Sequence, residues 1–84
     1  MTGFKFSHDG TWEVDGKPIS TDMGTMLKVE CAKLCLEGCF AIHIQGGSID
    51  HGSCHHYGVK EDVIAANQTI VTGVKAYTKC SAIN

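Results

Sequence analysis

The chain has no arginine: all seven of its basic residues are lysines, and the formal net charge is −2. Arginine is the planar fork that reads phosphates and base edges, and a basic stripe is the footprint of nucleic-acid binding. With both missing, neither nucleic acid nor an anionic membrane surface is expected as a partner. A single proline and a single tryptophan leave no proline-rich linker and no large aromatic cluster. No apolar run approaches the ~20 residues that span a bilayer, so membrane insertion is not expected. The opening Met1-Thr2-Gly3-Phe4-Lys5-Phe6 lacks the apolar segment and cleavage site of a secretory signal. Nucleophile-elbow, phosphate-loop and metalloprotease signatures are also absent, and a chain this short leaves little volume for a pocket of ~300 Å³. No enzymatic activity, catalytic residue or cofactor is expected.

What the chain does have is cysteine, five in 84 residues. A chain of this size buries only about 60% of its unfolded surface, so its apolar core needs reinforcement. Cysteines at this density supply it as disulfides, which persist in oxidising compartments. The expected setting is secreted or extracellular. Residues 1–84 are read as one module of a multi-domain secreted protein, with Met1 an added start. A hydrophobic fraction of 43% and a charged fraction of 19% fit a folded globule.

Hydrophobic periodicity predicts an α+β fold, one helix packed on an antiparallel sheet. Phe4 to Val14 reads as extended, with turn signals at Asp9-Gly10, taken as a hairpin, and at Asp15-Gly16. Ser20 to Gly24 is loop-like, and Thr21 or Thr25 is placed to cap a helix over Met26–Leu36. Leu27, Cys31, Leu34 and Cys35 form its apolar stripe, and Gly38 is its stop. Cys39 to Gln45 reads as a strand, Phe40, Ile42 and Ile44 on one face and Ala41 and His43 on the other. After a glycine-rich loop from Gly46 to Ser53, Cys54 to Val59 is the return strand. Lys60 to Asn67 fits either a short helix or a loop, and Thr69 to Tyr77 is a closing strand. Leu27, Leu34, Phe40, Ile42 and Ile44 are expected core. Trp12 either anchors the first hairpin or marks a contact patch.

Cys31 and Cys35 emerge on the same face of the predicted helix. Spacing alone leaves three pairings open among Cys31, Cys35, Cys39 and Cys54. Val29-Glu30-Cys31-Ala32-Lys33-Leu34-Cys35, then Gly38-Cys39-Phe40-Ala41, then Gly52-Ser53-Cys54-His55 resemble the PAN/apple family, and Gly73 to Cys80 resembles the way apple repeats close. The resemblance implies a disulfide-stapled sheet of about five strands on one helix, with Cys31–Cys54 and Cys35–Cys39 bonded. Apple domains proper add a bridge between the chain ends. Cys80 matches its C-terminal member, but no cysteine precedes Cys31, so Cys80 is unpaired or its partner is missing. In character the chain is most similar to the apple repeats of apicomplexan microneme adhesins. That implies a non-catalytic module for protein–protein adhesion, such as host-cell attachment by a secreted microneme protein. A galactose-type lectin and a structural spacer repeat are the alternatives. The implied partner is an adhesin or host surface receptor, or else a host glycan.

His51-Gly52-Ser53-Cys54-His55-His56-Tyr57 concentrates three of the five histidines. Cys31, Cys35, Cys54 and a histidine are zinc-ligand types, but finger spacing is absent and disulfides remove the thiolates, so no metal is expected. A sugar pocket needs an aromatic face and fixed polar groups. His55 and Lys75 are of suitable types, and Tyr57 and Lys60 are the first choices, with His56 and Tyr77 behind. The plainer expectation is that about half of these sit on a solvated sheet face. Asn67-Gln68-Thr69 is a glycosylation sequon of a kind common by chance, expected to be unmodified.

Overall fold

A computed structural model describes residues 3–80. The described chain runs β1 (Phe4–Val14), β2 (Lys17–Pro18), β3 (Thr21–Leu27), α1 (Lys28–Lys33), β4 (Ala41–Gln45), β5 (His51–Tyr57), α2 (Lys60–Ala65) and β6 (Asn67–Lys79). The strands make one antiparallel sheet in the order β2-β1-β6-β4-β5-β3. The sheet therefore has six strands where about five were expected, and there are two short helices where one was. The extra edge strand β3 is built from the stretch read as a loop. Its polar residues face solvent, and a register shift between Asp22 and Gly24 lets the Gly24 N–H donate to Asp22 Oδ1 at 2.8 Å.

β4 fixes the layering. Its Ala41, Ile42, His43 and Ile44 are all buried, so both faces of the sheet centre are covered. Ile42 and Ile44 point to one side, where they pack with Cys31, Cys35 and Cys54 beneath α1. Ala41 points to the other, into a cluster with Trp12, Tyr57, Ala76 and Val63 of α2. Phe40 lies before β4 and packs on this second cluster, not beside Ile42 and Ile44 as the alternation implied.

The helix is shorter than its apolar stripe suggests. Met26 and Leu27 belong to β3, and neither Thr21 nor Thr25 caps α1. Its N-cap is Leu27, whose N–H donates to Glu30 Oε1 at 3.4 Å. After Lys33 the chain leaves the helix, and Leu34, expected in the core, is 51% exposed. Gly38 (φ +82°) does not stop the helix; it sits in the turn that delivers Cys39.

The Asp15-Gly16 pair makes the β1–β2 hairpin: both residues have positive φ, 54° and 78°, as a type I′ turn requires. Asp9-Gly10 is no hairpin. β1 runs straight through it, and the irregularity lies in its partner: Asp9 faces Lys75, but Gly10 faces Ile70, so residues 71–74 form a bulge on the β1 side of β6, with Val74 still paired to Gln45 of β4. Trp12, two residues on, packs on Ala41, which belongs to a strand two places away in the sheet. The far end of β1 thus curls over the sheet face. Gly10 permits this, because a Cβ there would lie 1.7 Å from the Thr69 carbonyl oxygen, and its φ is +147°. We expect Gly10→Ala to cost on the order of 3 kcal/mol or more in urea unfolding. Gly24→Ala, at φ +92° in open space, should cost only about 1 kcal/mol. Equal losses would mean that β6 does not constrain the backbone at Gly10.

Candidate functional site

The structure bonds Cys31 to Cys54 and Cys35 to Cys39, the pairing that the resemblance implies. Two intramolecular disulfides fit an oxidising environment. Cys80 is exposed and unpaired. Its N–H donates to the Gly3 carbonyl at 2.9 Å, which brings the two described ends of the chain side by side. A ring nitrogen of His56 and the sulfurs of Cys31 and Cys54 lie within 4.8 Å of one another, all three residues buried. The sulfurs are bonded to each other and are not thiolates, and His56 Nε2 is engaged with the Cys31 carbonyl oxygen at 2.8 Å. This cluster is a staple and not a metal centre in the oxidised chain.

The four residues first chosen for a ligand do not share a surface. Tyr57 is 1% exposed and belongs to the core. His56 is nearly buried, on the opposite face from Tyr57 because the two are adjacent in β5. Tyr77 pairs with Ile42 and packs on the α1 side. Lys60 is exposed on α2, with its ammonium 6.0 Å from the Phe40 ring centre. The aromatic ring was read as a sugar platform, but burial turns it into a strut.

That strut spans the sheet. Tyr57 reaches from β5 across the small side chains of Ala41 and Ala76 to β1, where its hydroxyl takes the Trp12 N–H at 3.2 Å. Trp12 and Tyr57 pack edge to face with ring centres 4.8 Å apart. The same hydroxyl lies 2.7 Å from His43 Nδ1. Burial pushes the phenol above its ordinary pKa. His43 is the residue that sequence reasoning passed over as one half of a strand alternation. Its Nε2 is buried without a hydrogen-bond partner, and its ring stacks on that of His55 at 4.3 Å. Burial first, and the neighbouring His55 second, lower its pKa to about 4.

Exposed apolar side chains are spread over the described residues, with Phe6, Ile64 and Ile70 more than half exposed away from α1, and a further set lies around α1. Val29, Leu34 and Leu36 are more than half exposed, and Ile49 is 90% exposed. Ile49 is tied to this region because the next residue, Asp50, accepts the Lys28 N–H at 2.8 Å. A groove of about 310 Å³ lies beside them, lined by Met26, Glu30, Lys33 and Leu34. On the Trp12 side, Ser7, Trp12, Phe40 and Val63 help line a groove of about 350 Å³, and Val14, Ile19 and Asp62 another of about 400 Å³. These volumes exceed what the chain length suggested, because the grooves are open clefts between the sheet and the short helices. Ser7, in the lining of the groove of about 350 Å³, has its hydroxyl 2.8 Å from His8 Nδ1, whose Nε2 meets the Thr11 carbonyl oxygen at 2.9 Å.

Alkylation of the native chain should label one thiol, Cys80, and alkylation after reduction should label all five. Peptide mapping should recover Cys31 with Cys54 and Cys35 with Cys39. Five reactive thiols in the native chain, binding one zinc tightly, would replace the stapled module with a zinc domain. No protein-family model, no curated protein and no solved structure matches the chain.

Proposed function

We propose that the chain is a non-catalytic extracellular recognition module of PAN/apple type that acts in protein–protein adhesion, as in host-cell attachment by a secreted microneme protein. The observation that carries this reading is the apolar surface around α1. Val29, Leu34, Leu36 and Ile49 stand in solvent beside a groove bordered by Glu30 and Lys33. Exposed apolar groups rimmed by charge are the usual mark of a protein interaction site, which supports adhesion over a structural spacer. Two disulfides support an extracellular setting, because such bonds persist in oxidising compartments and are reduced in the cytosol.

The carbohydrate reading retains one specific observation, away from Tyr57. Phe6 is half exposed and meets Tyr77 edge to face at 5.9 Å. The Lys75 ammonium lies 5.7 Å from the Phe6 ring centre and 2.8 Å from Asp9 Oδ1. An aromatic face flanked by a lysine and a carboxylate has the chemistry of a sugar subsite.

Fluorescently labelled protein should bind animal cells saturably. Leu34→Glu with Leu36→Glu should weaken that binding at least about tenfold, since loss of one buried leucine contact removes about 1.4 kcal/mol or more. Galactose should not compete. Competition by galactose, with shifts confined to Phe6, Tyr77 and Lys75, would favour the lectin reading. Undiminished binding by the double variant would remove the α1 surface from consideration.

A further inference from the structure

We propose that His43, Tyr57 and Trp12 form an acid-operated latch that holds the curled end of β1, with β2 and the start of β6, against the sheet. The chain of contacts is continuous. Trp12 N–H donates to the Tyr57 hydroxyl, the Ser20 side chain also lies within its reach, and His43 Nδ1 lies 2.7 Å away. In the latched arrangement the hydroxyl accepts the Trp12 N–H and gives its own hydrogen to Nδ1, which makes His43 the neutral Nε2–H tautomer. Protonation of Nδ1 removes the acceptor and places a buried cation whose Nε2–H has no partner.

Among the described residues no carboxylate hydrogen-bonds the His43 ring. β5 presents His55, stacked on the ring, and Tyr57. β6 presents Ala76, and β1 places His8 on the far side of it. Glu13 of β1 is near the Tyr57 hydroxyl and accepts the Thr11 hydroxyl at 3.0 Å, and it is not among the groups that act on His43. Asp22 of β3 lies opposite His55 and accepts the Gly24 N–H. Gln45 of β4 is close enough to offset the shift slightly, yet does not hydrogen-bond Nε2. α2 presents Val63, while its Lys60, Glu61 and Asp62 are exposed. His8 differs: its Nε2 meets the Thr11 carbonyl at 2.9 Å and its Nδ1 the Ser7 hydroxyl at 2.8 Å, so both nitrogens of its cation would have acceptors.

The sign follows from the two protonation sites. In the opened chain His43 takes a proton near pH 6.5, and in the closed one only near pH 4. The open state therefore binds more protons between these values, and the closed state weakens as pH falls through that window. By pH 5 the open-to-closed ratio rises about 30-fold over its value above pH 7.

Trp12 is the only tryptophan, so its fluorescence reads the latch directly. On acidification from about pH 8 to 4, its emission should shift to the red with a midpoint inside that window. The imidazole proton signals of His43 should move with the same midpoint, and the disulfides should stay intact. His43→Gln keeps an acceptor for Tyr57 but cannot titrate, and should lose the transition. Tyr57→Phe should be open already at neutral pH. Fluorescence unchanged down to pH 4, or an unaltered transition in His43→Gln, would overturn the proposal. If His43→Gln fails to fold, the wild-type NMR titration decides. Common movement of His43 and the Trp12 indole supports the latch, and titration of His43 near 6.5 with Trp12 unmoved overturns it.

Discussion

The bond between Cys31 and Cys54 is the constraint on which the α1 side of the molecule depends. α1 has six residues, and a helix of that length does not hold itself in water. Its single fully buried side chain is Cys31 itself. Joining that side chain to the centre of β5 converts a marginal turn of helix into a lid over Ile42 and Ile44. The link spans 23 residues of sequence, so it removes about 3 kcal/mol of freedom from the unfolded chain. The Cys35–Cys39 bond then fixes the exit from the helix. Because covalent bonds hold this lid, its outer side chains are free to be apolar, and Val29, Leu34 and Leu36 face solvent without loss of the fold.

The other face has no such staple. It is closed by the sheet folding back on itself, and the devices are local: Gly10, where β6 passes too close for a side chain, and the bulge at residues 71–74. Ala41 and Ala76 are small where Tyr57 has to cross them. What holds the fold-back is an aromatic contact and one phenolic hydroxyl, and the hydroxyl leans on a histidine.

The parts of this architecture set by periodicity were legible in the sequence. The Ile42 and Ile44 alternation, the Asp15-Gly16 turn and the shared helix face of Cys31 and Cys35 each follow from geometry of a few neighbouring residues. Long-range crowding was not legible. Asp9-Gly10 carries a hairpin signal, but the glycine answers to Thr69, far away in sequence. The helix was read as too long because Leu34 completes an apolar stripe, although the chain turns before burying it. Tyr57 has the residue type of a ligand platform. Only the pairing of β4 with β5 and β6 shows that two alanines leave it space to become a strut. The same pairing aligns His8, Ala76, His43 and His55 in one row across the sheet, which no spacing rule reveals.

The two closures answer to different chemistry. A thiol reductant attacks the α1 lid and leaves the Tyr57 contact chemically untouched, whereas protons act on His43 and leave the disulfides bonded. The apolar surface at α1 therefore stays presented under acid conditions that loosen the opposite face. Since Tyr57 and His56 are neighbours on β5, and His56 holds the Cys31 carbonyl, the strand is shared by both closures. His56 is therefore one contact at which the Tyr57 side and the α1 side meet, next to the Cys31–Cys54 bond.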